Sequence, residues 1–258
     1  MTKRISSLCL VALAMGLASG GAIAKESNQK PDIYDNENKH VDDPTRIVTR
    51  LGLGSDYNFE SEQMGYAITG SIGLSEAQKI NARYHPETDE WSLGGSWLFD
   101  FGIVNFNFGR SEYEDGSNFN NYNIGTFVPL SVFGIEPNGW QIFPMAGFNY
   151  NEGEIAIEQQ NASSFDSSLN EYVLHPTSST GGYLGYFSLK PLDDKYTIMS
   201  FGGASVGSND YFGYWFGVGA GYKFTPKDSI KLMGIVSDND YGSDQKLVVS
   251  YSHTFSVE

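Results

Sequence analysis

Beyond residue 46 the chain sets large apolar side chains at every second position, over and over, with glycine, serine, asparagine or threonine between them. A repeat of two belongs to the β-strand, whose successive side chains point to opposite faces of a sheet. In 47–59 the odd positions carry Ile47, Leu51, Leu53, Tyr57 and Phe59, against Arg50, Gly52, Gly54 and Asp56. In 66–74 Tyr66, Ile68, Ile72 and Leu74 alternate with Ala67, Thr69, Ser71 and Gly73; in 91–99 Trp91, Leu93, Trp97 and Phe99 alternate with Ser92, Gly94 and Ser96. The same texture returns at 79–85, 104–109, 121–130, 140–150, 212–224, 230–236 and 247–255. It weakens at 183–189 and 196–206, where both faces hold apolar groups. Twelve strands are predicted, with ten as the fallback if those two weaker segments are miscounted. Helical periodicity is poorer everywhere, and only 164–172 reads as a short turn of helix.

Alternation alone leaves open which face looks inward. A soluble barrel hides its large apolar side chains in the lumen, whereas a membrane barrel turns them toward lipid. Here the second face is built from small neutral residues rather than the Lys and Glu of a water-facing sheet, and only 18% of the chain is charged. Aromatics gather near segment ends, as at Tyr57, Tyr66, Tyr84, Trp91, Trp140, Tyr150, Tyr222 and Tyr251, which fits two interfacial girdles. The predicted fold is therefore all-β: residues 47–258 form a closed antiparallel transmembrane barrel with no free edge, because hydrocarbon offers unpaired backbone groups no partner.

The N-terminus reads differently. Thr2-Lys3-Arg4, the apolar run 8–17 and Ala22-Ile23-Ala24 make a cleaved export signal over 1–24, which carries away the chain's one cysteine, Cys9. Residues 25–46 are polar and charged and read as a flexible periplasmic segment. With the N-terminus on that side, 154–180 becomes a long outer loop.

An export signal, repeated alternation and a last strand carrying Leu247, Val249, Tyr251 and Phe255 together resemble the bacterial outer-membrane β-barrel proteins. The resemblance covers about 47–256 and lies in pattern, with no family motif behind it; the terminal aromatic is displaced by Ser256-Val257-Glu258. It implies a monomer in outer-membrane lipid, inserted by the outer-membrane assembly machinery.

If the apolar face meets lipid, the other face lines the lumen and sends inward Arg50, Lys79, Arg83, His85, Lys223, Lys231 and Lys246. Closure puts Lys223, Lys231, Lys246 and Arg50 on four successive strands, a basic track favouring small anionic or sugar-like solutes in a narrow passive channel. This is similar in kind to the twelve-stranded acidic-oligosaccharide porins, although none of their motifs occurs. Alternatively, these bases neutralise Asp56, Asp100 and other acids in a plugged interior, and the barrel is a non-conducting structural or surface-interaction protein. Phe127, Phe143, Met145, Phe201, Trp215 and Met233 also face inward, so the lumen should be narrow or closed.

The formal charge of −15 sets the chain against nucleic acid. An outer-membrane lipid hydrolase would need a serine and a histidine together. The candidates are His175 with Ser178 or Ser179, and His253 with Ser252 or Ser256, but Ser252 and His253 are adjacent strand residues and face opposite ways. No enzyme, cofactor or metal site is expected. The acidic stretch 238–244 lacks the glutamate of a calcium loop, with Val249 at that position.

Overall fold

The structure, a computed structural model, describes residues 33–37, 39–87, 89–112, 118–158, 172–239 and 242–255. The strands follow one another as β1 (Thr49–Asn58), β2 (Gln63–Ser75), β3 (Gln78–His85), β4 (Glu90–Phe99), β5 (Gly102–Glu112), β6 (Asn118–Phe127), β7 (Gln141–Glu158), β8 (Tyr172–Pro191), β9 (Tyr196–Gly207), β10 (Phe212–Lys223), β11 (Asp228–Asn239) and β12 (Gly242–Phe255). Each pairs antiparallel with its neighbours in sequence, and β12 closes onto β1, from Thr49 opposite Phe255 to Asn58 opposite Lys246. The count of twelve and the closure are those read from the alternation. The rim where β1 begins and β12 ends is called the near end below, and the opposite rim the far end.

The large apolar face points outward. Trp97, Phe106 and Tyr214 are all exposed, and Phe148 and Leu184 keep 74% and 71% of their surface uncovered. A continuous apolar surface of this extent suits lipid and not water. Toward the far end Trp91, Phe108, Tyr122 and Tyr150 make a run of touching rings across β4 to β7, with centroids 5.0, 4.8 and 5.9 Å apart. The Tyr122 and Tyr150 hydroxyls both donate to Glu152, so each ring keeps its body in the apolar belt and its tip in the polar zone. Near-end counterparts include Tyr196 with Tyr222 and Tyr222 with Phe224.

Two regions depart from expectation. The hairpin of β7 and β8 stays paired from Gln141 opposite Leu189 out to Glu158 opposite Tyr172, so most of the long loop expected over 154–180 is strand. Beyond the hydrocarbon a ladder needs no apolar face, and the returning arm Pro176-Thr177-Ser178-Ser179-Thr180 carries no period-two signal. The helical turn expected over 164–172 falls outside the described residues, apart from Tyr172, which opens β8. The expected signal, 1–24, also lies outside them.

The second departure is the polar lead-in. Residues 33–37 and 39–46, expected to be flexible, are packed into the near end of the barrel. Ile33 and Ile47 bury against Leu98 and Ile103 of the wall and Val132 of a 3-10 turn, Leu130–Phe133, that follows β6. Thr45 is fully buried and Asp42 nearly so. A second apolar cluster, Phe143, Leu189 and Met199, with Phe127, Phe187 and Met233 packed on it, fills the adjoining wall. The segment has no period-two pattern because polar contacts with a lumen, rather than an apolar face of its own, hold most of it.

Candidate functional site

The segment 33–46 enters at the near end and is held chiefly by basic residues of the wall. Lys231 of β11 forms an ion pair with Asp42, Nζ to Oδ1 2.5 Å, and the Asp42 side chain is only 2% exposed. Lys79 of β3 donates to the carbonyls of Arg46 at 2.8 Å and Pro44 at 3.4 Å. His40 shares a hydrogen bond with Thr197 of β9, Nε2 to Oγ1 2.7 Å. Arg50 of β1 lies in the field of Asp42, and Lys223 of β10 in that of His40. At the rim the Tyr34 hydroxyl donates to Asp100 at 3.1 Å, and a cleft of about 750 Å³ opens beside Asn36, Arg46, Glu76 and Lys227.

Within the segment the backbone curls on its own side chains. The Thr45 amide and hydroxyl both donate to Asp43 Oδ1, at 2.7 and 2.6 Å, and Lys39 donates to the Thr45 carbonyl at 2.9 Å. Burial holds the His40 imidazole below its ordinary pKa; Asp42 and Asp43 oppose this, while Lys223 and Lys231 push the same way. His40 is therefore neutral at pH 7, and its hydrogen bond to Thr197 needs no charge. His40, expected in a free lead-in, is instead one of its anchors.

The seven lumen candidates thus divide. Arg50, Lys79, Lys223 and Lys231 gather round the segment. Arg83, His85 and Lys246 stand in the far half, where Arg83 Nε lies 2.7 Å from His85 Nε2. The strands β10, β11, β12 and β1 are neighbours as expected, but register breaks the track: Lys231 faces Ser250, while Lys246 faces Ile235 and Asn58, further toward the far rim. Solvent reaches the inner wall from mid-barrel outward, where Thr69 at the middle of β2 and Arg83 opposite it are exposed although both point inward.

The inward bulk lies differently from what its volume suggests. Tyr183 of β8 crosses Gly147 of β7 and reaches Gly125 of β6, Trp215 covers Gly203 and Phe201 covers Gly217, so that a Cβ on any of these glycines would strike the aromatic side chain. Each ring is laid against the wall instead of across the lumen, and the glycines supply the room. A set of polar residues escaped the sequence reading altogether: Asn107 on β5, Asn123 on β6 and Asn149 on β7 stand directly opposite one another on the inner face. Their signal was asparagine at alternate positions in three successive segments, 105–107, 121–123 and 149–151.

On the outer face His253 pairs with Asp228, Nδ1 to Oδ1 2.7 Å, and the Tyr251 hydroxyl donates to the same oxygen at 2.6 Å. Ser252 points the other way and meets Ser229 at 2.9 Å, so the serine and histidine of that pair diverge. Ser179 is turned inward and buried with its hydroxyl donating to the Ser208 carbonyl, whereas Ser178 is exposed; the His175 side chain lies outside the described set.

No protein-family model matches the chain, and no curated protein matches its sequence. Among solved structures the NanC porin is similar, with TM-score 0.52 at 12% identity over 80% of this chain and 100% of that one. The chain shares that barrel fold. The lipid-facing belt and the closed twelve-stranded sheet agree with that fold likeness. The translocator domain of the autotransporter NalP from Neisseria meningitidis gives TM-score 0.49 at 16% identity, over 81% of this chain and 89% of that one. The KdgM porin in complex with disordered oligogalacturonate gives 0.47 at 8% identity, over 80% and 99%.

Proposed function

We propose that this barrel is a narrow passive channel for small anionic or sugar-like solutes, restricted at its near, periplasmic end by its own residues 33–46. The observation that carries the reading is the polar inner wall from mid-barrel outward, reached by solvent at Thr69 and Arg83. A barrel serving only as an anchor has no use for such a wall. The NanC likeness agrees with a porin-like barrel; four of the five near-rim connections are two to four residues long, the fifth, 128–140, is thirteen, and the periplasmic assignment of this rim follows from the N-terminal segment that enters there. Solute would pass Arg83, His85 and Lys246 first and then meet the segment clamped by Arg50, Lys79, Lys223 and Lys231.

Planar-bilayer recording of the purified protein tests this. The expected result is a small conductance that grows when Asp42→Asn loosens the segment, with a reversal potential under a salt gradient that moves when Lys223, Lys231 and Lys246 are all replaced by Gln. A second reading, a non-conducting structural barrel, is favoured by the near-end seal, where Phe143, Leu189 and Met199 are at most 3% exposed. Absence of conductance from both the native protein and the Asp42→Asn variant would decide for it.

A further inference from the structure

The row of facing asparagines is longer than three. On β4 the same row holds Gly94, and a Cβ there would lie 2.8 Å from Asn81 Nδ2 and 3.1 Å from Asn107 Oδ1. The two amides reach over the glycine from β3 and β5, so Asn81, Asn107, Asn123 and Asn149 make one unbroken amide track across β3 to β7. The track climbs: Asn81 stands close to the start of β3 at the near end, while Asn149 is well along β7. A side branch joins it, Asn123 Nδ2 donating to Asn121 Oδ1 at 2.9 Å and Asn121 in turn donating to Asn151.

Three observations give the track a ligand. First, Asn81, Asn107, Asn123 and Asn149 are each only part-buried, so the row keeps surface open to the lumen. Second, among residues whose side chains are described, the inner face of β5 to β9 carries no charged group; every inward charge is on the other strands. Third, the Tyr183 ring crosses Gly147 and reaches Gly125, one inward position below Asn149 and Asn123, which sets an aromatic side chain on the inner wall beside the row.

We infer that this track is a binding site for neutral, hydroxyl-rich solutes, that is, short uncharged oligosaccharides. A primary amide has two donors and an acceptor in fixed geometry, and a sugar hydroxyl needs one partner of each kind. Matching the two requires no charge to be stripped of water. The C–H face of a pyranose can settle on the Tyr183 ring, as apolar surface settles on an aromatic face. A row that climbs the wall presents repeated amide pairs to successive sugar units. The inference deepens the channel reading by naming a solute class, and rests on it only for transport; binding is a property of the wall itself.

The test is equilibrium binding to the full-length barrel in detergent micelles, followed by saturation-transfer NMR, with maltotriose as the neutral probe and trigalacturonate as the acidic one. Maltotriose is expected to bind, and the Asn123→Ala/Asn149→Ala variant to weaken it at least tenfold while leaving trigalacturonate unchanged. Retention of the native barrel is checked by circular dichroism. The near-isosteric Asn149→Asp keeps the barrel intact if the double variant does not fold, and is expected to weaken maltotriose by losing two donors. No maltotriose binding by the native barrel, or binding within twofold of native in both variants, would overturn the inference. A barrel that binds maltotriose without conducting would contradict the channel reading alone; one that conducts without binding it would contradict the site alone.

Discussion

The two walls of the lumen have been given opposite work. From β10 through β1 to β4 the inner face carries Lys223, Lys231, Lys246, Arg50, Asp56, Lys79, Arg83, His85 and Glu90. From β5 to β9 it carries asparagines, glycines and rings laid flat. The charges nearest the termini are engaged by the chain's own residues 39–46, through an ion pair, two lysine-to-carbonyl bonds and the field around His40. A charge clamped on its own polypeptide is not free to select a solute. Counting lumen bases therefore overstates the pull on anions, and the neutral wall, with no charge to notice in a sequence, becomes the surface a solute can use.

The comparison breaks most readily at Asp42. Asp42→Asn leaves Lys231 facing a partner without charge in a buried place, a loss of about 3 kcal/mol. Amides of residues 39–46 should then exchange hydrogen on the order of 100-fold faster, with barrel-strand amides unaffected. Lys231→Met should act alike, and combining the two should cost much less than their sum, because the double variant leaves no charge stranded.

A smaller effect is expected on the neutral wall. Gly125→Ala drives the Tyr183 hydroxyl off its resting place and into the lumen, overpacking at about 1–3 kcal/mol. It should lower the urea midpoint in micelles and narrow the conductance. Gly234→Ala, where the added methyl meets nothing within 4 Å, should change stability by less than about 0.5 kcal/mol.

Acid should loosen the segment, and by less than loss of the ion pair. Burial lowers the His40 pKa, so the docked state prefers the neutral ring. That preference is fully present above the free-histidine value and fades as pH falls through the lowered one. The charged neighbours are mixed, Lys223 and Lys231 repelling the imidazolium while Asp42 and Asp43 attract it. Protection factors of amides in 39–46, taken against the intrinsic exchange rate at each pH, should therefore fall on acidification in the native protein, and this fall should be missing in His40→Gln.

Much of the barrel could be read from the sequence because lipid contact demands a strict period of two. Leu51, Leu53 and Tyr57 declare one face of β1, and Phe212 to Tyr222 declare β10. β8 was harder, since Tyr183, Phe187 and Leu189 face in while Leu184 and Tyr186 face out, so neither face is distinctively apolar. The docked segment had no period to show. Its clues were the isolated Ile33 and Ile47 at its ends and an Asp and a His to set against inward lysines, and only closure of the barrel brings those together. The amide track was visible as letters but not as a surface, because register across five strands decides whether asparagines face one another.

The most direct measurement uses the absence of cysteine beyond Cys9. Thr197 is 2% exposed and bonded to His40, so its cover is the segment itself, whereas Asn123 on the neutral wall is half-buried and faces the lumen. Single substitutions Thr197→Cys and Asn123→Cys are to be labelled with a charged thiol reagent in micelles, where both ends of the barrel are open to it. Rapid labelling at 123, protection at 197, and loss of that protection when Asp42→Asn is added are the expected results. Equal labelling rates at 197 and 123 in the otherwise native barrel would contradict the account.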